Sequence, residues 1–208
     1  MLELEVALAI TETFDALGVL YCVGGSFASI VHGEARATRD VDLLAAMRPA
    51  HIPRFVAALN PTFYVQPEDV RVAVGRAPSL RDTPQQRATF NMIHQASFFK
   101  ADIFVSSGRP FDTSQFERRV LIAVSPGRSL AIASAEDTVL AKLEWYRIGG
   151  EISDRQWRDV LAVLAAQSTR LDHAYMRRWA TALGVPDLLD RAIGNDPPPG
   201  SAIQERMF

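Results

Sequence analysis

The chain has 208 residues, 48% hydrophobic and 22% charged, with a formal net charge of -2 at pH 7. That length suits one core domain with a smaller appendage, and the balance excludes disorder across the whole chain and a bulk-charge grip on nucleic acid. The single cysteine, Cys22, excludes an intramolecular disulfide framework and a cysteine-rich zinc site.

The start, Met1-Leu2-Glu3-Leu4-Glu5, carries acid where a secretory signal carries base. No apolar stretch reaches bilayer length, so a cytoplasmic protein without membrane association is expected. Leu2, Val6, Ile10, Phe14 and Leu17 recur at helical spacing and Gly18 ends the run, which predicts a helix over 2–17. Leu20 to Val23 reads as a strand, Gly24-Gly25-Ser26 as a turn, and Phe27 to His32 as a second helix. A polar connection from Glu34 to Arg39 leads to a strand over Val41 to Leu44 and a helix over Pro49 to Leu59. Phe63 to Val65 predicts a strand. Pro67-Glu68-Asp69 opens a short helix with proline and acids at its start.

Arg76 to Arg87 is polar and proline-rich, which predicts an exposed loop. Thr89 to His94 and Phe98 to Val105 are strands, Phe111 to Arg119 a helix, and Val120 to Val124 and Leu130 to Ala133 two more strands. Ser134 with Asp137, and Ser153 with Gln156, read as capping boxes for two helices separated by Gly149-Gly150. Further helices are predicted over 172–183 and 186–193, followed by the proline-rich tail. Strands and helices mix over 1–133, helices alone occupy 134–195, and 196–208 is expected to be extended. The architecture expected is therefore α+β with a C-terminal all-helical segment.

The informative constellation begins where the strand ending at Val23 runs into Gly24-Gly25-Ser26. Glycines let a backbone approach a bulky anion, and the free amides of a helix start, with the Ser26 hydroxyl, can hold phosphate oxygens. Asp40-Val41-Asp42 follows thirteen residues after Ser26. On a strand these two carboxylates share a face about 6.6 Å apart. They repel, and each raises the other's pKa, a conflict that a divalent cation removes. Mg²⁺ favours a few carboxylates plus substrate phosphates. The competing reading is a solvated acidic strand end.

Asp102 lies inside the apolar run Phe98-Phe99-Lys100-Ala101-Asp102-Ile103-Phe104-Val105, with Lys100 on its face. A carboxylate there is costly unless paired or metal-bound, so an ion pair with an arginine is the alternative. Three aspartates on neighbouring strands beside a phosphate-cradling turn describe a two-metal phosphoryl-transfer site.

This pattern resembles the nucleotidyltransferase superfamily with the DNA polymerase beta-like palm, over about residues 18–106. The resemblance implies a palm with a mixed β-sheet flanked by helices. It also implies that Gly24, Gly25 and Ser26 bind the triphosphate of an NTP such as ATP, and that Asp40, Asp42 and Asp102 bind two Mg²⁺ ions. The segment Ala135-Glu136-Asp137-Thr138-Val139-Leu140-Ala141-Lys142-Leu143, with Arg158-Asp159-Val160, is similar to the minimal, abortive-infection toxin-type branch. That implies a functional Lys142 with Asp159 near the nucleotide, and an antitoxin-like protein as a partner.

Among the 22 basic residues only Lys100 and Lys142 are lysines, which suits positions where a compact charge matters. Lys142 lies eight residues before Gly150 and Asp159 nine after it. In an antiparallel helix pair they fall level, either as a structural salt bridge or as two groups facing the Asp102 strand.

His32, His94 and Cys22 read as packing or surface residues. Trp145, Tyr146 and Trp157 read as core, and Arg170, Arg177 and Arg178 as a solvated helix face. The resulting expectation is a Mg²⁺-dependent nucleotidyltransferase that moves a nucleoside monophosphate from an NTP to an acceptor hydroxyl on tRNA, a protein or a small molecule. The rivals are a non-catalytic partner or regulatory module of the same fold, and a hydrolase that releases inorganic phosphate.

Overall fold

A computed structural model describes residues 2–33, 35, 37–38, 40–83 and 86–194. The tail expected over 196–208 lies outside the described residues, as do Glu34, Arg36 and Arg39 of the polar connection and Pro84 and Gln85. The chain divides into two compact units. The first holds the residues up to Phe27 together with Ala37–Ala133, and the second holds Ala28–Arg36 with the chain from Ser134 onward.

The first unit begins with α1 (Leu2–Ala16) and β1 (Tyr21–Val23), and continues into the start of α2 (Gly25–His32). Next come β2 (Asp40–Ala45), a 3-10 turn over Pro49–His51, α3 (Ile52–Leu59), β3 (Phe63–Tyr64) and α4 (Pro67–Arg76). β4 (Ala88–His94), β5 (Lys100–Val105), α5 (Pro110–Arg118), β6 (Val120–Ser125) and β7 (Arg128–Ile132) complete it. Among the described residues seven strands form one mixed sheet in the order β3-β4-β5-β2-β1-β7-β6. β2 runs parallel to β5 and β1 parallel to β7, while the other neighbours are antiparallel.

Alternation along the central strands makes one face apolar. Val41, Leu43 and Ala45 of β2, Phe90 and Met92 of β4, and Ala101, Ile103 and Val105 of β5 are all buried. Phe90 meets the edge of Phe55 at 6.0 Å, and Phe55 stacks on Phe14 at 5.2 Å, so α3 and α1 cover this face. Burying each such ring stabilises the fold by about 1.5–3 kcal/mol. On the other face Phe116 of α5 packs with Cys22, Ala133 and Leu44. Cys22 is thus a packing residue.

The segments after Arg76 and before Lys100 differ from the sequence expectation. The region after Arg76 is not a bare loop: Ala77–Leu80 form a 3-10 turn that buries Ala77 and Leu80, its apolar members. The strand expected from Phe98 begins at Lys100. Phe98 takes φ 57 and is 82% exposed. There the β4–β5 connection reverses, Phe98 N donating to His94 O and His94 N to Phe99 O, both at 2.8 Å.

The second unit contains α6 (Ala135–Ile148), α7 (Asp154–Gln167), α8 (His173–Leu183) and α9 (Pro186–Ile193). Ser134 Oγ accepts from Asp137 N at 3.1 Å, and Ser153 Oγ accepts from Gln156 N at 3.4 Å. Both satisfy amides left open at a helix start. The buried Asp137 carboxylate also accepts from Ser134 Oγ at 2.9 Å and from the Tyr175 hydroxyl, which ties α8 to the start of α6. Tyr146 and Trp157 pack with ring centroids 5.4 Å apart and form the core of the helix pair. Gly33 lies so close to α7 that a Cβ there would stand 3.0 Å from Val163 N. Gln167 Nε2 donates to His32 O at 2.9 Å. Among the described residues, no helix is long and apolar enough to cross a membrane.

Candidate functional site

The site is built where β1 ends. α2 starts at Gly25, two residues earlier than expected, so Gly25 and Ser26 are its first two residues. The first turn of a helix is where backbone amides can hold anions. Gly24 N donates to Asp42 O at 2.8 Å, which seats the turn against β2. Gly25 has φ +55, and a Cβ there would stand 1.8 Å from Asp42 Oδ2. Only glycine allows the Asp42 carboxylate to lie against this turn.

The three aspartates come together through strand pairing. β2 and β5 align Asp42 with Asp102 and Asp40 with Lys100. Residues paired in this way point to the same side of the sheet and lie roughly 4.8 Å apart at their backbones. The neighbours Val41, Leu43, Ala101 and Ile103 are fully buried on the α1–α3 side. Asp40, Asp42 and Asp102 therefore share the opposite face, where each is partly exposed. Thr38 Oγ1 donates to Asp40 Oδ1 at 2.8 Å and orients that carboxylate. Lys100 Nζ lies 2.8 Å from Asp102 Oδ1, with the lysine side chain 46% exposed and the aspartate 19%. Among the described residues, the ion-pair partner of Asp102 is thus a lysine two residues away.

In this register the three carboxylates neighbour the ammonium of Lys100. The donor set and register suit a hard divalent ion such as Mg²⁺. Among the described residues, however, no three acidic, histidine or cysteine side chains close around one point. Asp102 faces Lys100, so ligation by all three aspartates requires Asp102 to exchange the ammonium for the ion.

Two neighbours escaped the sequence reading. Thr38 lies in a polar connection with no local signal. Asn91 pairs with Asp102 from β4 and is exposed on the carboxylate face. Its alternation with buried Phe90 and Met92 is legible, but the strand beside it is not.

The remaining candidates fall in the second unit. Lys142 of α6 donates through Nζ to Asp159 Oδ2 of α7 at 2.9 Å, each side chain 10% exposed. His94 is engaged with Ser97 Oγ at 2.7 Å in the β4–β5 turn. Arg170, Arg177 and Arg178 are exposed, and Arg178 lies over the Tyr175 ring at 5.4 Å.

No protein-family model matches the chain, and no curated protein sequence matches it. Among solved structures it is similar to an antigenic nucleotidyltransferase-like protein from Paracoccidioides brasiliensis. That similarity has 14% identity and a TM-score of 0.47, covering 97% of each chain. It is also similar to the antibiotic-resistance factor ANT(2'')-Ia, at 10% identity and a TM-score of 0.44, covering 90% of this chain and 91% of that one.

Proposed function

We propose that the chain is a Mg²⁺-dependent nucleotidyltransferase, transferring a nucleoside monophosphate from an NTP to an acceptor hydroxyl. The observation that carries this reading is the alignment of Asp42 with Asp102, and of both with Asp40, on the face where the Gly25 turn meets Asp42. Asp40, Asp42 and Asp102 would hold the ions. When bound, Mg²⁺ supplies charge neutralisation at the transferring phosphoryl group and lowers the pKa of the acceptor hydroxyl. The amides of Gly25 and Ser26 and the Ser26 hydroxyl bind the triphosphate from the α2 start. Asp42, held by the Gly24 hydrogen bond, joins the turn to the carboxylate row. In the transfer, the acceptor oxygen bonds to the α-phosphorus and the α–β bridging bond breaks. Pyrophosphate leaves, and the hydroxyl proton passes to a carboxylate or to water.

The near-neutral net charge of -2 favours a small or protein acceptor over a long polyanion. Assignment to the toxin-type branch, with an antitoxin-like partner, rests on the resemblance of the Lys142 and Asp159 segments. Within the present proposal their buried ion pair joins α6 to α7.

The test incubates purified protein with Mg²⁺, α-labelled NTPs and cell lysate. The wild type is expected to transfer label to an acceptor and release pyrophosphate, and Asp42→Asn to do neither. Release of inorganic phosphate alone would identify a hydrolase. Absence of Mg²⁺–NTP binding would identify a non-catalytic module.

A further inference from the structure

We infer that Lys100 is a built-in counter-ion of the carboxylate row, and that a divalent cation must displace its ammonium from Asp102 to complete the site. The inference rests on the metal reading above and adds to it the residue that sets how readily the site loads.

The patch is two by two. On β2, Asp40 and Asp42 follow one another along one face; on β5, Lys100 and Asp102 do the same, and the register sets Lys100 beside Asp40 and Asp102 beside Asp42. Three corners are carboxylates and the fourth is an ammonium. Carboxylates this close destabilise one another, so a fixed positive charge among them favours the folded sheet when no other cation is near. Lys100 Nζ meets that need at 2.8 Å from Asp102 Oδ1.

The same contact opposes metal binding in two ways. It occupies an oxygen that the ion would take, and it places a positive charge beside the entering cation. The lysine is nearly half exposed, so its ammonium can swing into water on its flexible stem once the ion arrives. The exchange needs only a side-chain rotation, because Asp102 already shares a face with Asp40 and Asp42.

The test measures Mn²⁺ and Mg²⁺ alone, without nucleotide, by calorimetry and by metal-induced shifts in melting temperature. Four proteins are compared: wild type, Lys100→Met, Asp102→Asn and the double variant. Lys100→Met is expected to bind Mn²⁺ about fivefold more tightly, the scale of a partly exposed ion pair. In EDTA it should melt below the wild type, because Asp102 has lost its ammonium partner. In the Asp102→Asn background the affinity gain should fall toward unity, since no pair remains to exchange.

Equal Mn²⁺ affinity in wild type and Lys100→Met overturns the inference while the metal reading stands. A gain of the same size in the Asp102→Asn background also overturns it, because Lys100 would then act through space and not at Asp102. Failure of every variant to bind either ion removes the metal reading itself, and this inference with it.

Discussion

Replacing Lys142 by methionine keeps most of the apolar stem and removes the ammonium from a buried carboxylate. Lys142 Nζ and Asp159 Oδ2 are 2.9 Å apart, and only 10% of either side chain reaches solvent. Solvent reaches little of that carboxylate. Breaking such a pair from one side costs about 3–5 kcal/mol. With roughly 2–4 °C per kcal/mol for a chain of this size, the lower end of that cost corresponds to a fall in melting temperature of about 6–12 °C. Met is close to Lys in volume, so cavity formation adds little. The assay is urea unfolding followed by tryptophan fluorescence. All three tryptophans, Trp145, Trp157 and Trp179, lie in α6, α7 and α8, so the signal reports the unit that holds the pair. Asp159→Asn should also destabilise, and the double variant should lose less than the sum by about 1–3 kcal/mol. A Lys142→Met protein within about 0.5 kcal/mol of wild type would refute the structural role. Lys142 would then be open to the nucleotide-facing role that its resemblance implies.

The adjacent glycines at positions 24 and 25 should respond differently to alanine. Gly25→Ala must shift Asp42 and strain a left-handed backbone, costing about 2 kcal/mol or more. Gly24→Ala meets nothing within 4 Å and should cost less than about 1 kcal/mol; chemical denaturation of both ranks them, and equal costs would contradict the close approach of Asp42. Asp187 tests a pH dependence. Burial pushes its carboxyl up, but the hydrogen bond and charge of Arg147, with backbone amides at the start of α9, together hold it below its ordinary range. Its native pKa is thus below the unfolded one, so the pair stabilises the fold above the unfolded value and ceases to do so as pH falls below about 4. Both groups are substantially exposed, so Asp187→Asn should cost at most about 1 kcal/mol at pH 7. Unfolding at pH 7 and pH 3 checks this; the same penalty at both would exclude the ion pair as its cause.

What the chain reveals locally and what it conceals divide along physical lines. Helix starts were legible because capping is a local exchange: Ser134 and Ser153 bond amides three residues ahead. Lys142 and Asp159 could be placed level because a short connection constrains two helices to run back along one another. The start of α2 at Gly25 was less legible, because the glycines read as a turn preceding the helix. The apolar character of Phe98 predicts a strand, yet the tight reversal after His94 sets its backbone. In the polar stretch after Arg76, Ala77 and Leu80 find a buried position that only packing supplies.

Strand alternation alone puts Asp40 and Asp42 on one face and Lys100 and Asp102 on another, because side chains on a strand alternate with a period of two residues. Local pattern also places a glycine turn before a helix. That the two faces are the same one follows from strand pairing. β2 and β5 are separated in the chain by β3 and β4, and their pairing buries the apolar faces of the central strands together. That choice sets Asp42 beside Asp102, Lys100 beside Asp40 and Asn91 beside Asp102 on its other side. It also brings Asp42 so close to Gly25 that no side chain fits between them. Local pattern states which way a side chain points, whereas the identity of its neighbour across the sheet is a property of the whole core.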